Sequence, residues 1–414
     1  MAGPLPRLRI YTDPGQYFRV LREWLSGGAR AGDATDVLER RIADRLGIGH
    51  AVVMPMARTG IYFAVKGLIR PGQKVILSPY TIADVVNMVV CAGGIPVFAD
   101  VERSTGNIDP AAIERSIDGE TGAVLVTHLY GMMADMSRIT AICKERRVAL
   151  IEDAAQSFGG KMQGRYAGTF GDAGIFSFGM YKNVNSFFGG MVVTPRTDLD
   201  AFMRAETGKL PYQPMGHLLR KVASAAAVDV VTFPLVFRNF SFWLFRFAFL
   251  NDVDSINNKL KIDVSPEIKR RMPPDYLVRM TPLQARLILS QLDRVESDMG
   301  RRIRAAHRWH AALHDLPELT LAPLRDDGSH IYWYFPVMYR DRYALVAHAM
   351  KHGCDITESY HRNCAEIPCF AEFARVCPNA AAVASSLIYL PVYPRYSDAE
   401  IDKTAAVIRR FFGK

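Results

Sequence analysis

The stretch Val148-Ala149-Leu150-Ile151-Glu152-Asp153-Ala154-Ala155-Gln156 is an apolar run that ends abruptly in two acids. Downstream, Phe176-Ser177-Phe178 leads to Lys182-Asn183, and Gly189-Gly190 opens the apolar Met191-Val192-Val193. A short apolar run bounded by polar residues reads as a buried strand, which places Asp153 at a strand end. The glycine pair reads as a softened return into another buried strand.

Working outward, Val75-Ile76-Leu77, Ile95-Pro96-Val97-Phe98 and Ala123-Val124-Leu125-Val126 read as further strands. Helical patterns lie between them, among them Ala83–Cys91 and Met136–Arg146. This alternation, from Val37 to about Val193, predicts an α/β fold with a mostly parallel sheet covered on both faces. Ligands of such sheets gather beyond the carboxyl ends of the strands. Asp100, His128 and Asp153 each follow a strand; Asp153 is assigned to the site, and the other two read as loop-start residues.

An acid at a strand end, a serine before a lysine and a glycine return suit pyridoxal 5'-phosphate (PLP). Lys182 is the candidate imine-forming amine, since desolvation helps a lysine lose its proton. Asp153 is the candidate partner of the ring nitrogen, which must stay protonated for the ring to accept electrons. Ser177 is a candidate phosphate contact. Asp153 also fits a helix N-cap, and Lys182 also fits a surface lysine; the apolar flanks and the Gly-Gly return weigh against the latter. Ala57-Arg58-Thr59-Gly60-Ile61 precedes a helical stretch, and a helix N-terminus with free N–H groups suits a phosphate, with Arg58 and Thr59 adding donors.

In order and spacing, Glu152 to Gln156, Gly171-Asp172-Ala173, Phe176-Ser177-Phe178 and Lys182-Asn183 resemble the cofactor block of the DegT/DnrJ-type PLP-dependent sugar aminotransferases. Pro79-Tyr80-Thr81, Gly93 to Asp100, His128-Leu129-Tyr130-Gly131 and Arg279-Met280-Thr281-Pro282-Leu283-Gln284 extend the resemblance from about Leu38 to Phe411. It implies a fold-type I transferase: a large PLP-binding α/β domain over 1–210, an apolar connector over 211–280, and a small C-terminal α+β domain over 281–414. In that last part, a long helical pattern from Pro282 runs through Leu292, Val295 and Ile303. Strands are expected near Tyr332–Val337 and Leu387–Leu390, and a helix from Ser397.

The resemblance also implies an activity. An amino group moves from L-glutamate to a keto acceptor, a keto-sugar that is nucleotide-activated, giving an amino sugar for surface glycan or related biosynthesis. Gln156 is expected to bond the cofactor's phenolic oxygen or pack behind its ring, and the protein to be a homodimer. In relatives that dehydrate sugars the imine lysine is a histidine, so Lys182 favours transamination. Two rivals are an aminotransferase for a lipid-linked or amphiphilic ketone and a non-catalytic regulatory protein on the same fold. The chain departs from the family in three places. Ile82 stands where many relatives stack an aromatic ring, Leu277 where many have an asparagine that crosses the dimer, and Phe188 where a glutamate is common. Tyr130, Tyr181, His330 and Tyr332 are candidate acceptor contacts.

At 414 residues and a net charge of +9, with half the chain apolar, the composition is that of a globular enzyme. No zinc-finger spacing or basic-aromatic interleaving points to nucleic acid. The six cysteines form no CxxC pair, so free thiols and no metal site are expected. Met1 to Arg9 lacks an apolar h-region, and the protein is expected to be cytoplasmic.

His217 to Leu250 is unusually apolar, ending in Phe233 to Leu250 with seven phenylalanines and a tryptophan. Asp229, Pro234, Arg238 and Arg246 argue against a spanning helix, because a charge at the bilayer centre costs about 2.5–3.5 kcal/mol. Three readings stay open: packing in the core or at a dimer interface, peripheral membrane contact through 233–250 with both arginines at headgroup level, and a lid over a substrate channel.

Overall fold

The computed structural model describes residues 3–10, 13–257 and 265–414. Seven strands form the main sheet: β1 (His50–Met54), β2 (Lys74–Leu77), β3 (Ile95–Phe98), β4 (Thr121–Thr127), β5 (Ala149–Asp153), β6 (Ala173–Ser177) and β7 (Gly190–Thr194). Their order is β1-β7-β6-β5-β4-β2-β3, with β7 antiparallel to both neighbours and the others mutually parallel. The helices Ala83–Cys91 and Met136–Arg146 fall where the sequence pattern puts them.

Alternation along each strand feeds two cores. Leu77, Leu125 and Ile151 face one side with the helix Ala57–Leu68. Ile76, Val124, Val126 and Leu150 face the other with the helix Ala34–Leu46. Strands buried on both faces must be apolar at every position, which is why they appear in the sequence as unbroken runs.

A second, four-stranded antiparallel sheet contains β8 (Thr320–Leu321), β9 (Phe335–Met338), β10 (Thr357–Glu358) and β11 (Leu387–Leu390), ordered β8-β9-β11-β10. The helix Asp398–Phe411 starts at the Ser397 cap, as expected. Two expectations change. The long helix from Pro282 is broken into Pro282–Leu289 and Val295–Leu313, because the Gln291 side chain turns back to the carbonyls of Leu287 and Asn185. The strand starts at Phe335 and not Tyr332, since Tyr332 adopts φ 51°, outside any strand conformation.

The N-terminus packs on this second sheet: Arg7 pairs with Asp355 at 2.5 Å, and the Tyr393 hydroxyl donates to the Pro6 carbonyl. The apolar connector forms helices Met215–Val231 and Phe242–Leu250, joined through a π-helical turn at Phe237–Ser241. Phe237 and Phe242 insert into the core under the four-stranded sheet, beside Trp309 and Leu345.

Candidate active site

The carboxyl ends of β4, β5 and β6 converge where Asp153 closes β5 and Ser177 closes β6. Asp153 is followed by a turn and not a helix; its Oδ1 accepts the Ala155 N–H at 3.1 Å. A small cavity there is lined by Ala155, Gln156, Phe158, Ser177, Lys182, Asn183, Val184 and Trp333. Lys182 thus shares the cavity with Gln156 and Ser177.

Desolvation pushes the Lys182 amine down to about 8; the charge of Asp153 opposes this and that of Arg58 adds to it. Burial raises the Asp153 carboxyl, while the Ala155 N–H and the charges of Lys182 and His128 pull it down. An amine that releases its proton near neutral pH, beside a buried acid, is the pairing that carbonyl chemistry needs.

Two glutamines pin the loop carrying Lys182. Gln284 Nε2 donates to the Phe188 carbonyl at 2.7 Å, and Gln291 brackets Asn185 through its backbone N–H and carbonyl. Thr281 and Gln284 also form a capping box that starts the helix Pro282–Leu289, which explains the Thr281-Pro282-Leu283-Gln284 motif. Gly190 lets β7 press against the N-terminus of Ala57–Leu68; a Cβ there would lie 2.5 Å from the Ala57 nitrogen.

That helix has no side-chain hydrogen bond at its N-cap, the arrangement in which a helix N-terminus can receive an anion. Arg58 and Thr59 sit in this turn but have other partners. Arg58 pairs with Asp84 at 2.8 Å and reaches the Tyr276 hydroxyl, and the Thr59 hydroxyl donates to the Tyr276 carbonyl at 2.9 Å. Leu277 follows directly, so the segment replacing the expected asparagine lies over these two donors of its own chain.

Gln156 is fixed at both ends. Its Oε1 accepts the Tyr130 N–H at 2.8 Å, and its Nε2 faces His361 Nε2 at 3.4 Å. His361 Nδ1 lies 2.6 Å from the Tyr389 hydroxyl, and Ser359 links Tyr389 to Tyr80. An amide N–H toward His361 Nε2 requires that nitrogen to accept, hence a neutral ring; burial, with the Lys182 charge adding, drives His361 down to about 3.

Sequence reasoning did not find His361, Tyr389 or Trp333. Trp333 sets its ring face 4.1 Å from Lys182 Nζ, and its indole N–H donates to the Tyr181 carbonyl. The buried Arg302 holds the Tyr332 and Trp333 carbonyls. Of the other candidates, His128 pairs with buried Glu152, and Asp100 accepts from the N–H groups of Asn379 and Ala380; both roles are structural. His330 stacks on Tyr332 in the interior and Phe188 stacks on His217; neither lines the cavity. Tyr80 is pinned by Ser359, so it forms a wall with His361.

The residues fit PLP: a lysine with a lowered pKa, a buried carboxylate, an uncapped helix N-terminus, and Asn183 Oδ1, which lies buried without a hydrogen-bond partner. Among the described residues no cluster of His, Cys, Asp or Glu could hold a metal, and all six cysteines are free.

A fold and site of this kind define a PLP-dependent transferase. The chain belongs to the DegT/DnrJ/EryC1/StrS aminotransferase family, whose sequence model matches residues 16–216 and 260–409, and it is a PLP-dependent aminotransferase. It is 28% identical to the spore coat polysaccharide biosynthesis protein SpsC of Bacillus subtilis, over 93% of this chain and 90% of that one. It is 26% identical to a UDP-N-acetyl-3-dehydro-alpha-D-glucosamine 3-aminotransferase of Acidithiobacillus ferrooxidans, over 92% and 89%. The aminotransferase PseC of Helicobacter pylori shares the fold at a TM-score of 0.77 and 19% identity, each chain covered to 99%.

Proposed function

We propose that the protein transfers the amino group of L-glutamate to a nucleotide-activated keto-sugar, releasing 2-oxoglutarate and an amino sugar. The observation that carries this reading is the Lys182 amine, lowered to about 8 and placed between Asp153 and Trp333. When bound, PLP supplies the carbonyl that captures the amine and the electron sink that acidifies the adjacent C–H bond.

Lys182 Nζ holds the cofactor and then moves the proton: it takes it from Cα of glutamate and, in the second half-reaction, returns one to the sugar carbon that gains the amine. Asp153 keeps a proton on the ring nitrogen, a role its burial supports because a desolvated carboxylate interacts strongly with a nearby cation. Thr59, Arg58, Ser177 and the first turn of Ala57–Leu68 bind the phosphate, which requires Thr59 to exchange the Tyr276 carbonyl for the anion. Gln156, held by Tyr130 and His361, orients the ring. Trp333 excludes water from the amine.

The relatives named for polysaccharide and UDP-sugar work support a sugar acceptor. A homodimer is supported by Phe18, Leu21, Trp24 and Leu25, which leave one side of the helix Pro14–Leu25 exposed and apolar. A lipid-linked acceptor is a second reading, favoured by the exposed aromatic residues of 233–250. Steady-state assays with L-glutamate and a panel of nucleotide-linked keto-sugars test the primary one: turnover is expected with at least one sugar and none with Lys182→Ala.

A further inference from the structure

Residues 217–259 lie outside both stretches that match the family. Within them, Phe240, Trp243, Leu244 and Phe247 are 72%, 49%, 52% and 60% exposed. Their spacing of three, four and seven residues sets them in one stripe along the helix. The opposite side carries Phe242 and Ala248, both fully buried. A helix apolar all round belongs inside protein or lipid; this one is covered on one side only. Phe233 and Leu235, also exposed, extend the apolar surface toward the preceding turn.

The stripe is firmly held. Phe237 and Phe242 anchor it in the core, the Trp243 indole N–H donates to the Arg238 carbonyl at 3.0 Å, and the Arg246 guanidinium sits 5.3 Å from the Trp243 ring. Between Val230 and Asn251 the charged residues are Arg238 and Arg246, with no acid. Asp229, just before, takes the Tyr17 hydroxyl at 2.6 Å, and Asp252 lies beyond the helix end. The aromatic stripe therefore carries positive charge alone.

That charge pattern selects the occupant. A second copy meeting this stripe with its own would bring two arginines from each chain together with no carboxylate between them. An anionic headgroup layer complements both arginines and accepts the aromatic side chains at its acyl boundary. Among the described residues no helix is long and apolar enough to cross a membrane, so the contact is peripheral.

We propose that the stripe formed by Phe240, Trp243, Leu244 and Phe247, flanked by Arg238 and Arg246, docks the protein on an anionic lipid surface. This goes beyond the transamination reading and stands whichever ketone is aminated. It brings the aminotransferase to a surface where its product is consumed or its acceptor resides.

The test is co-sedimentation of PLP-loaded protein with phosphatidylcholine vesicles, with and without phosphatidylglycerol, at low and high salt. It is run beside the variant Phe240→Ser/Trp243→Ser/Phe247→Ser, whose changes are all exposed. Expected are binding to the anionic vesicles, weak binding to the neutral ones, release by salt, and a loss of about tenfold or more in the variant. No binding to anionic vesicles, or binding equal in the variant, overturns the proposal. So does light scattering showing that the wild type self-associates through the stripe without vesicle binding. Retained PLP absorbance and its response to glutamate in the same samples separate failure of docking from failure of the enzymatic reading.

Discussion

Lys182 Nζ lies 4.1 Å from the centroid of the Trp333 ring, although one residue follows β6 and the other precedes β9. The negative face of an indole favours an ammonium by about 0.5–2 kcal/mol depending on desolvation. Trp333→Leu keeps the amine dry but removes this attraction. The pH midpoint for capture of PLP by the apo-protein, which follows the Lys182 amine lowered to about 8, is expected to fall by roughly 0.4–1.5 units. Stopped-flow absorbance against pH measures it.

Asp153 acts on the same amine with the opposite consequence to Arg58. The charge of Asp153 raises the Lys182 pKa and that of Arg58 lowers it. Asp153→Asn therefore moves the capture midpoint below the wild type, and Arg58→Met moves it above. Asp153→Asn also weakens the hold on the ring proton. Loss of a charged hydrogen bond worth about 1.5–3 kcal/mol slows the glutamate half-reaction by roughly 10–150-fold. Single-turnover absorbance separates the two effects.

His361 makes the fold acid-sensitive. Its folded pKa, pushed down to about 3 by burial, lies below the ordinary histidine value of about 6.5, so the unfolded chain binds the extra proton first. Its contribution to stability is complete above pH 6.5 and is lost as pH falls toward 3, at about 1.4 kcal/mol per unit in the steep part. His361→Asn removes this slope. It also loosens Gln156 and Tyr389, lowering stability at pH 7.5 by about 1–3 kcal/mol. Urea denaturation across pH 4.5–7.5 (roughly the span of the titration) is the check.

The loop bearing Lys182 depends on Gln284 and Gln291. Gln291 is fully buried, accepts from Asn185 N–H and donates to Asn185 O. Gln291→Leu leaves both backbone groups unpaired and is expected to cost about 2–4 kcal/mol. It should also raise the dissociation constant for PLP, which equilibrium dialysis reads. A drop in stability without weaker PLP binding would show that the loop holds its shape without this clamp.

The cofactor block was legible because its parts follow one another through β5, β6 and β7. A buried parallel strand must be apolar throughout, so Val148 to Asp153 announces both a strand and its end. The partners that finish the site come from far along the chain. Trp333 and His361 sit in irregular segments without periodicity, brought to Lys182 by the packing of the second sheet. Tyr332, with φ 51°, breaks the strand that its β-forming neighbours suggest. Phe188, standing where a glutamate is common, stacks on His217, a contact that only the connector helix creates. Within the apolar 217–250 segment Phe237 and Phe242 are core, while Phe240, Trp243, Leu244 and Phe247 are exposed.

The most direct test of the central claim is an absorbance titration of purified, PLP-loaded protein with L-glutamate, beside Lys182→Ala. The wild type is expected to show a lysine-bound cofactor band that bleaches to the pyridoxamine form, with 2-oxoglutarate released in equal amount. Lys182→Ala is expected to lack that band and to release no 2-oxoglutarate. A Lys182→Ala protein that keeps the wild-type band and its response to glutamate would contradict the assignment of Lys182.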